Sequence, residues 1–388
     1  MKIAVKNIGT LVTGDIARPL SDATTILIED GKIAQVGGEA LLAGGGFAQT
    51  IDAAGATVAP GLIDSHVHPV LGDFSPRQSI LGYIGSSLHG GVTTMISAGE
   101  PHTPGRPKDV AGTKALAVLA HKSAANARPG GVKLHGGALI LEKGLKEEDF
   151  AELAATGVWL VGEVGLGSVK DPLEAAEMLG WARKYGMKSC MHTGGTSIPG
   201  SSTVPAADVI AAGPDVVSHI NGGPTAVPIE EADKLIDGTD LTLEIVQCGN
   251  NKVMLHVASR LKEKGALGRL IVGNDSPSGT GIIPLGVLRT LATVASLGGV
   301  SAAEAICCAT GNTARAYGLP VGFIKEGCEA DLVFMDTPLG SVGADALGAL
   351  EAGDLPGISM VLVDGKQAAG VSRNTPPALR KAALAEPA

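Results

Sequence analysis

Two histidines separated by one residue end an apolar stretch near the start of the chain. In "GLIDSHVHPV" (61–70), His66 and His68 flank Val67, and Asp64 stands two positions before the first histidine. Because side chains alternate across a β-strand, both imidazoles point to one face and Val67 points to the other. Burying the two rings without partners would cost about 1–3 kcal/mol for each polar group. Imidazoles with nearby carboxylates are ligands that Zn²⁺ and other first-row divalent ions prefer, so the pair is a candidate metal site.

Further residues with the same chemistry stand at the ends of other apolar runs. Each has an ordinary structural explanation when taken alone, since a histidine can hydrogen-bond within a core, Asp275 can cap a helix and Glu163 can join a buried ion pair. All of them stand at the ends of apolar runs, and this shared position favours a metal centre over these separate structural roles. The predicted ligands are His66, His68, Glu163, His192, His219 and Asp275.

Eight short apolar runs alternate with helix-like stretches through the middle of the chain. The runs are 61–68, 93–99, 131–139, 158–165, 188–195, 215–222, 241–249 and 269–276. This alternation is typical of βα units and a parallel sheet, and eight such units predict an α/β protein with a (β/α)8 TIM barrel. Active-site residues of such barrels lie at the carboxyl ends of the strands, where all of the predicted ligands stand.

The two ends of the chain have a different pattern, in which short strand-like segments are separated by turn pairs. We expect them to form one small β-sandwich domain built from both chain ends. The predicted division is therefore 1–58 for the N-terminal part of the sandwich, 59–318 for the barrel and 319–371 for the C-terminal part of the sandwich. Residues 372–388 are expected to form an arm on the surface that could reach another subunit.

Composition narrows the choice of partners. The formal net charge of −9 argues against nucleic acid, because phosphate binding needs a basic surface. No uncharged apolar stretch of about 18 residues appears, so no membrane partner is expected. The five cysteines include no CxxC pair, which argues against structural zinc and a disulfide framework and predicts a cytoplasmic protein.

Several motifs resemble those of the amidohydrolase superfamily of metal-dependent hydrolases. They are "PGLIDSHVH", the later single histidines, the aspartate at the end of the eighth run, "ATGNTARAYGL" (309–319) and "GCEADLVFMD" (327–336). The resemblance covers nearly the whole chain. It implies two divalent metal ions. Zn²⁺ is the expected ion, and Fe²⁺ is possible at one of the two sites. His66, His68 and Asp275 would hold the first ion, and His192 and His219 would hold the second.

The resemblance also suggests what lies between the two ions. Many members of the superfamily bridge them with a carboxylated lysine at the end of the fourth strand, where this chain has Glu163. Lys133 on the third strand is the rival bridge, and His135 beside it would either support the ligands or belong to the core. Asp275 is the predicted catalytic residue, since it could accept a proton from water and pass it to the leaving nitrogen.

A narrower resemblance concerns the substrate. The stretches "SAGEPHTPGRPKDVAGTKALA", "MHTGGTSIPGSSTV", "SHINGGPTA" and "GNDSPSGTGIIPLG" are similar to the branch that opens 6-oxo-1,4,5,6-tetrahydronicotinate to 2-formylglutarate and ammonia in nicotinate degradation. A carboxylated substrate needs a cationic contact, for which Arg106 is the first candidate, followed by His102 and Arg77. A solvated surface charge explains Arg106 equally well.

Other functions remain open at this stage. A hydantoinase, a dihydroorotase or a deacetylase would use the same ligands on a different substrate. A non-catalytic scaffold is a remote alternative, because it would be expected to show a broken ligand set. The resemblance implies a homotetramer, although no motif encodes the oligomeric state.

Overall fold

The computed structural model of the chain describes residues 1–69, 77–101, 105–195, 203–223, 225–277 and 281–385, with only the backbone of 77–81. Short strands come first along the chain. Their bounds are β1 (Lys2–Lys6), β2 (Thr10–Val12), β3 (Leu20–Ser21), β4 (Thr25–Glu29), β5 (Lys32–Gly37), β6 (Gln49–Asp52) and β7 (Thr57–Pro60).

Strands and helices then alternate, as predicted. They are β8 (Leu62–Val67), α1 (Arg77–Leu88), β9 (Val92–Ser97), α2 (Val110–Asn126), β10 (Lys133–His135), α3 (Glu147–Thr156), β11 (Leu160–Val164), α4 (Pro172–Lys184), β12 (Lys188–Met191), α5 (Ala206–Ala212), β13 (Val216–Val217), α6 (Ile229–Gly238), β14 (Thr242–Val246), α7 (Asn251–Glu263), β15 (Leu270–Gly273) and α8 (Gly286–Leu297). Every predicted apolar run overlaps one of the strands β8 to β15, so the α/β class is confirmed.

These eight strands form two parallel sheets, in the orders β10-β9-β8 and β11-β12-β13-β14-β15. Isolated parallel bridges connect the two sheets on both sides. One joins Leu139 to Val161, and the other joins Val67 to Ser276. The carboxyl ends of all eight strands therefore point in the same direction, which brings the residues that follow them to one side of the molecule.

The chain ends with α9 (Ala302–Cys307), α10 (Thr313–Tyr317), β16 (Leu332–Asp336), α11 (Ala346–Glu351), β17 (Gly357–Val363), β18 (Lys366–Ala369) and β19 (Ala383–Leu384). Two further sheets have the orders β19-β6-β1-β4-β5 and β18-β17-β16-β7-β2-β3. Each of them thus contains strands from both ends of the chain. One hydrophobic cluster includes side chains from both sheets, among them Ile3, Ile28, Val58, Phe334 and Leu362.

The described part of the predicted C-terminal arm packs on its own subunit. Strand β19 pairs antiparallel with β6. Just before it, the Arg380 guanidinium binds the buried carboxylate of Asp336, with 2.6 Å between Nη2 and Oδ1. None of the helices in the described ranges is long and apolar enough to cross a membrane.

The alternative prediction, in which Lys133 bridges two metal ions, is wrong. Its ammonium lies at the start of β10, away from the carboxyl ends of the strands, and pairs with Glu329, Asp331 and Asp364 at 2.5, 2.8 and 2.8 Å. These three acids belong to the C-terminal segment, so Lys133 connects the parallel strands to that part of the chain.

His135 is also turned away from the predicted metal centre. Its ring packs against Trp159, which precedes β11, with 5.4 Å between the ring centroids. Burial lowers the pKa of His135 to about 4, so the ring is neutral and contributes to packing. A core role is therefore the one that the contacts support.

We predict that Lys133→Met destabilises the protein. The substitution would leave three carboxylates without their shared cation, one of them, Asp331, fully buried. Removing one partner of a buried ion pair costs about 3 kcal/mol. Urea unfolding followed by circular dichroism would measure the loss. The exposed Lys366 on β18 provides the matched control, since Lys366→Met should leave the unfolding midpoint unchanged. Equal midpoints for the two variants would contradict the prediction.

Candidate metal centre

The predicted ligands converge at the carboxyl ends of the parallel strands. Two groups of side chains each place one potential ligand atom per residue within 4.8 Å of the others: His66, His68 and Asp275, and His66, Glu163 and His219. Both groups are buried and share His66. The carboxylate of Asp275 lies 3.3 Å from Nε2 of His68 and 3.8 Å from Nε2 of His66.

His66 and His68 are oriented by acceptors behind them. Nδ1 of His66 lies 2.8 Å from a carboxylate oxygen of Glu244, and Nδ1 of His68 lies 2.9 Å from the carbonyl oxygen of Gly99. When Nδ1 donates to these acceptors, a neutral ring keeps its lone pair on Nε2. The two Nε2 atoms are only 3.3 Å apart. Two facing lone pairs require a proton or a cation between them, so the donor set fits a metal ion.

Glu163 contacts histidines on both sides of the cluster. One of its oxygens lies 2.6 Å from Nε2 of His219 and 3.1 Å from Nδ1 of His192, while the other lies 3.4 Å from Nε2 of His68. The structure thus brings His192 to the cluster through Glu163. The second ring nitrogen of His219 is buried and has no hydrogen-bond partner among the described residues.

The charges in the cluster depend on one another. Burial alone would favour the neutral form of Glu163. The surrounding imidazoles, His66 foremost, nevertheless hold the pKa of Glu163 well below its usual range. Burial likewise opposes the charge on Asp275, whose pKa is nevertheless lowered by His68 and His66. Burial disfavours a proton on His66, yet the carboxylates of Glu244 and Glu163 raise its pKa well above the usual value. A bound cation would replace that proton, because metal ligation requires a neutral imidazole.

The backbone around the cluster is tightly packed and locally strained. A Cβ atom on Gly273 would lie 2.8 Å from Cβ of His66, so glycine lets β15 approach β8 at the site. His219 and Asp275 have positive φ angles of 31° and 57°. Non-glycine residues in this region cost free energy and are concentrated at functional sites, which is consistent with a site role for both.

Two supporting acids were not among the predicted ligands. Glu244 on β14 is fully buried and also accepts hydrogen bonds from Ser65 Oγ and from the backbone N–H of His219. Asp64 accepts from the backbone N–H groups of Asn274 and His66. Burial raises the pKa of Asp64 to about 7. The signal for Glu244 was a single acid within the apolar run "LTLEIV", since an unpaired buried carboxylate is too costly to be accidental.

Of the three predicted substrate contacts, Arg106 is the one whose side chain the structure describes. Arg106 is largely buried, and its Nη1 binds Glu142 at 2.6 Å. Its Nε is buried without a hydrogen-bond partner among the described residues. His102 lies outside the described residues, as does the side chain of Arg77, whose backbone begins α1.

Comparison with known proteins gives a consistent result. The model of the amidohydrolase family matches residues 234–368. The chain is 61% identical over 383 residues to the enamidase of Eubacterium barkeri, which covers 99% of this chain and 99% of that enzyme. It is 32% identical over 211 residues to the dihydroorotase of Syntrophotalea carbinolica, which covers 53% of this chain and 45% of that protein.

Solved structures agree with these sequence relationships. The crystal structure of an enamidase superimposes with a TM-score of 0.97 at 61% identity, covering 99% of this chain and 100% of that chain. The β-aspartyl dipeptidase of Fervidobacterium islandicum superimposes with a TM-score of 0.67 at 17% identity, covering 98% of this chain and 99% of that chain. The second relationship concerns the fold alone.

We predict that Glu244→Gln weakens metal binding. The amide removes the negative charge that faces Nδ1 of His66, and such supporting partners typically account for about 10- to 100-fold in metal affinity. Metal content by plasma mass spectrometry after dialysis against a graded chelator would measure the change. Glu148→Gln, at an exposed position on α3, is the control and should keep its metal. Unchanged metal retention in Glu244→Gln would rule out this supporting role.

Proposed function

This chain belongs to the amidohydrolase family, and on that basis we propose that it is an enamidase that opens 6-oxo-1,4,5,6-tetrahydronicotinate to 2-formylglutarate and ammonia. The observation that carries the proposal is the 61% identity to an enamidase over 99% of both chains. It makes this chain a hydrolase of the carbon–nitrogen bond in a cyclic amide. The relationship to dihydroorotase covers 53% of the chain and gives weaker support to a cyclic amidase of other specificity.

The proposed centre holds two divalent cations. His66, His68 and Asp275 would bind the first, and His192 and His219 would bind the second. Support comes from the two candidate ligand groups, which share one histidine and lie side by side. Imidazole and carboxylate ligands suit Zn²⁺ and Fe²⁺ alike, and we assign Zn²⁺ with Fe²⁺ as the alternative at one site.

Glu163 is the proposed bridge between the two sites. Its two oxygens face different histidines, His219 on one side and His68 on the other. The surrounding imidazoles hold the pKa of Glu163 well below its usual range despite its burial. The carboxylate is therefore ionised, and it needs no chemical modification to bind cations. Cations held there would supply Lewis acidity, which lowers the pKa of water toward about 7 and polarises the amide carbonyl.

Asp275 is the proposed acid–base residue. His68 and His66 lower the pKa of Asp275 despite its burial. Its carboxylate is therefore ionised at neutral pH and can accept a proton. It would take a proton from the attacking water and deliver it to the ring nitrogen as the carbon–nitrogen bond breaks. The nitrogen leaves as an enamine, and a second water converts the enamine to the aldehyde and ammonia.

Arg106 is the proposed contact for the substrate carboxylate. Glu142 holds Nη1, which leaves the Nε and Nη2 edge of the guanidinium without hydrogen bonds to the described residues. Two parallel N–H groups on one edge match the two oxygens of a carboxylate. Glu142 is itself fixed, since it accepts a hydrogen bond of 2.9 Å from the backbone N–H of Ser168. His102 and Arg77 remain further candidates.

We also infer a (β/α)8 barrel with a β-sandwich built from both chain ends. The bridges on both sides of the two parallel sheets support closure of the barrel. The shared hydrophobic cluster of the other two sheets supports the sandwich. The proposed domains are 1–58, 59–318 and 319–371, followed by the arm 372–388.

The remaining proposals concern the cellular setting. We propose a small-molecule substrate without a nucleic acid or membrane partner, a homotetramer by resemblance, and a cytoplasmic location. The location rests on the five cysteines, all of which are free thiols, as expected in a reducing compartment.

Turnover of 6-oxo-1,4,5,6-tetrahydronicotinate with release of ammonia is the direct test. We expect the wild-type protein to release ammonia and Asp275→Asn to lose at least about 100-fold in kcat, because proton transfer typically contributes this much. Asp240→Asn makes the same chemical change at an exposed position and should be fully active. Hydrolysis of hydantoin or dihydroorotate, without turnover of this compound, would replace the proposed substrate.

A second prediction concerns Arg106→Lys. Lysine keeps the charge that pairs with Glu142 but lacks the two-pronged edge, so KM for the carboxylated substrate should rise about 10-fold. The same ring without its carboxylate, 3,4-dihydro-2-pyridone, should show an unchanged KM. The exposed Arg183 supplies the control variant Arg183→Lys. An equal rise of KM for both compounds would show that Arg106 does not recognise the carboxylate.

A further inference from the structure

A buried hydroxyl joins the two chain segments that carry His192 and His219. Thr193 directly follows His192, and only 1% of its surface is exposed. Its Oγ1 donates to backbone carbonyl oxygens, at 2.6 Å from that of Ser218 and 3.2 Å from that of His219. One O–H group therefore connects the segment of one proposed ligand with the backbone of another.

This hydroxyl matches an unusual backbone conformation at His219. Successive carbonyl oxygens of an extended strand point to opposite sides. Here β13 ends at Val217, His219 has a positive φ of 31°, and the carbonyl oxygens of Ser218 and His219 both lie within reach of the same hydroxyl. A residue with such a φ angle is strained, and it keeps this conformation only where the surrounding structure fixes it.

Side chains replace regular strand pairing at His219. Its backbone N–H donates to the carboxylate of Glu244 at 3.2 Å. Its carbonyl oxygen accepts from the backbone N–H of Gly222, within the same turn, and from Thr193. A side chain from β14 and another from the segment after β12 thus hold the position from which the imidazole of His219 extends.

The direction of the two imidazoles depends on that position. Nε2 of His219 and Nδ1 of His192 lie 2.6 and 3.1 Å from the same oxygen of Glu163. The centroids of the two rings are 4.8 Å apart. A shift of the His219 backbone would therefore separate the two ligands proposed for the second cation. The ligands proposed for the first cation lie in or just after other strands, β8 and β15.

We propose that Thr193 is a positioning residue for the second cation, because its hydroxyl holds the backbone of His219 where the imidazole can bind that cation together with His192. Thr193 acts through the backbone and supplies no ligand atom. The inference rests on the proposed function, since it concerns the second of the two cation sites named there. Loss of the hydroxyl should weaken the second site and leave the first site intact.

Two matched pairs of variants isolate the hydroxyl. Thr193→Val replaces it with a methyl group of similar size, while Thr193→Ala and Thr193→Ser differ from each other only by the hydroxyl. The second pair keeps the test available if the valine variant does not fold. Bound metal per chain would be measured by plasma mass spectrometry after dialysis against a graded chelator. The valine and alanine variants should lose one of two ions at a chelator concentration about 10- to 100-fold lower than the wild type, and serine should restore retention.

A second buried threonine controls for a purely structural effect. Thr310, between α9 and α10, is fully buried, and its Oγ1 donates to the carbonyl oxygen of Ile306 at 2.7 Å. Thr310→Val makes the same chemical change and should keep both ions. Metal loss of the same size in Thr310→Val would assign the effect to general destabilisation and would overturn the role of Thr193.

Anomalous X-ray diffraction at the zinc absorption edge identifies the ion that is lost. In crystals of the Thr193→Val protein, the ion at His66 and His68 should keep its occupancy, while the ion at His192 and His219 should lose most of its own. Equal metal retention in Thr193→Val and the wild type, equal loss in the serine and alanine variants, or loss from the first site alone would overturn the inference. So would a wild-type protein that holds a single ion.

The metal measurement also separates this inference from the proposed substrate. A wild-type protein that holds two ions but turns over no cyclic amide would refute the proposed reaction, while the ion count of the Thr193 variants would still decide the role of this residue. Conversely, an active Thr193→Val protein with both ions firmly bound would refute the positioning role and leave the proposed reaction standing.

Discussion

Charge compensation in a buried space is the constraint on which the site depends. Glu163 and Glu244 are almost completely buried, and Asp275 is only 8% exposed. A buried charge is tolerated only when it is paired and hydrogen-bonded, so each of these carboxylates faces at least one imidazole. The neighbouring Nε2 atoms of His66 and His68 also lie 3.3 Å apart, which requires a proton or a cation between them. The protein thus carries a preorganised set of charged and polar groups that could hold a metal ion.

Strand geometry explains how much of this arrangement could be predicted from the sequence. Alternation of side chains places His66 and His68 on one face of their strand. The parallel arrangement brings the residues that follow each strand to one side of the molecule. These two rules need only local patterns, so all eight strands and the convergence of the six predicted ligands could be predicted. The exact bounds were less accurate, as for β10, which spans only Lys133–His135 within the predicted run 131–139.

What could not be predicted depends on contacts between distant parts of the chain. Glu244 binds His66 across 178 positions of sequence, and Lys133 binds Asp331 across 198. No local pattern specifies such pairs. For Lys133 the position along the strand was decisive, since a residue at the amino end of β10 cannot reach ligands at the carboxyl end.

The use of glutamate as the proposed bridge makes a specific demand on the backbone. A glutamate side chain is shorter than a carboxylated lysine, so the position of its backbone matters more. Gly162, the preceding residue, lets β11 lie close to the end of β9, because a Cβ atom there would lie 2.2 Å from the carbonyl oxygen of Ala98. That same oxygen accepts the backbone N–H of Glu163 at 2.9 Å. Close packing of β11 against the end of β9 thus fixes the backbone that carries Glu163.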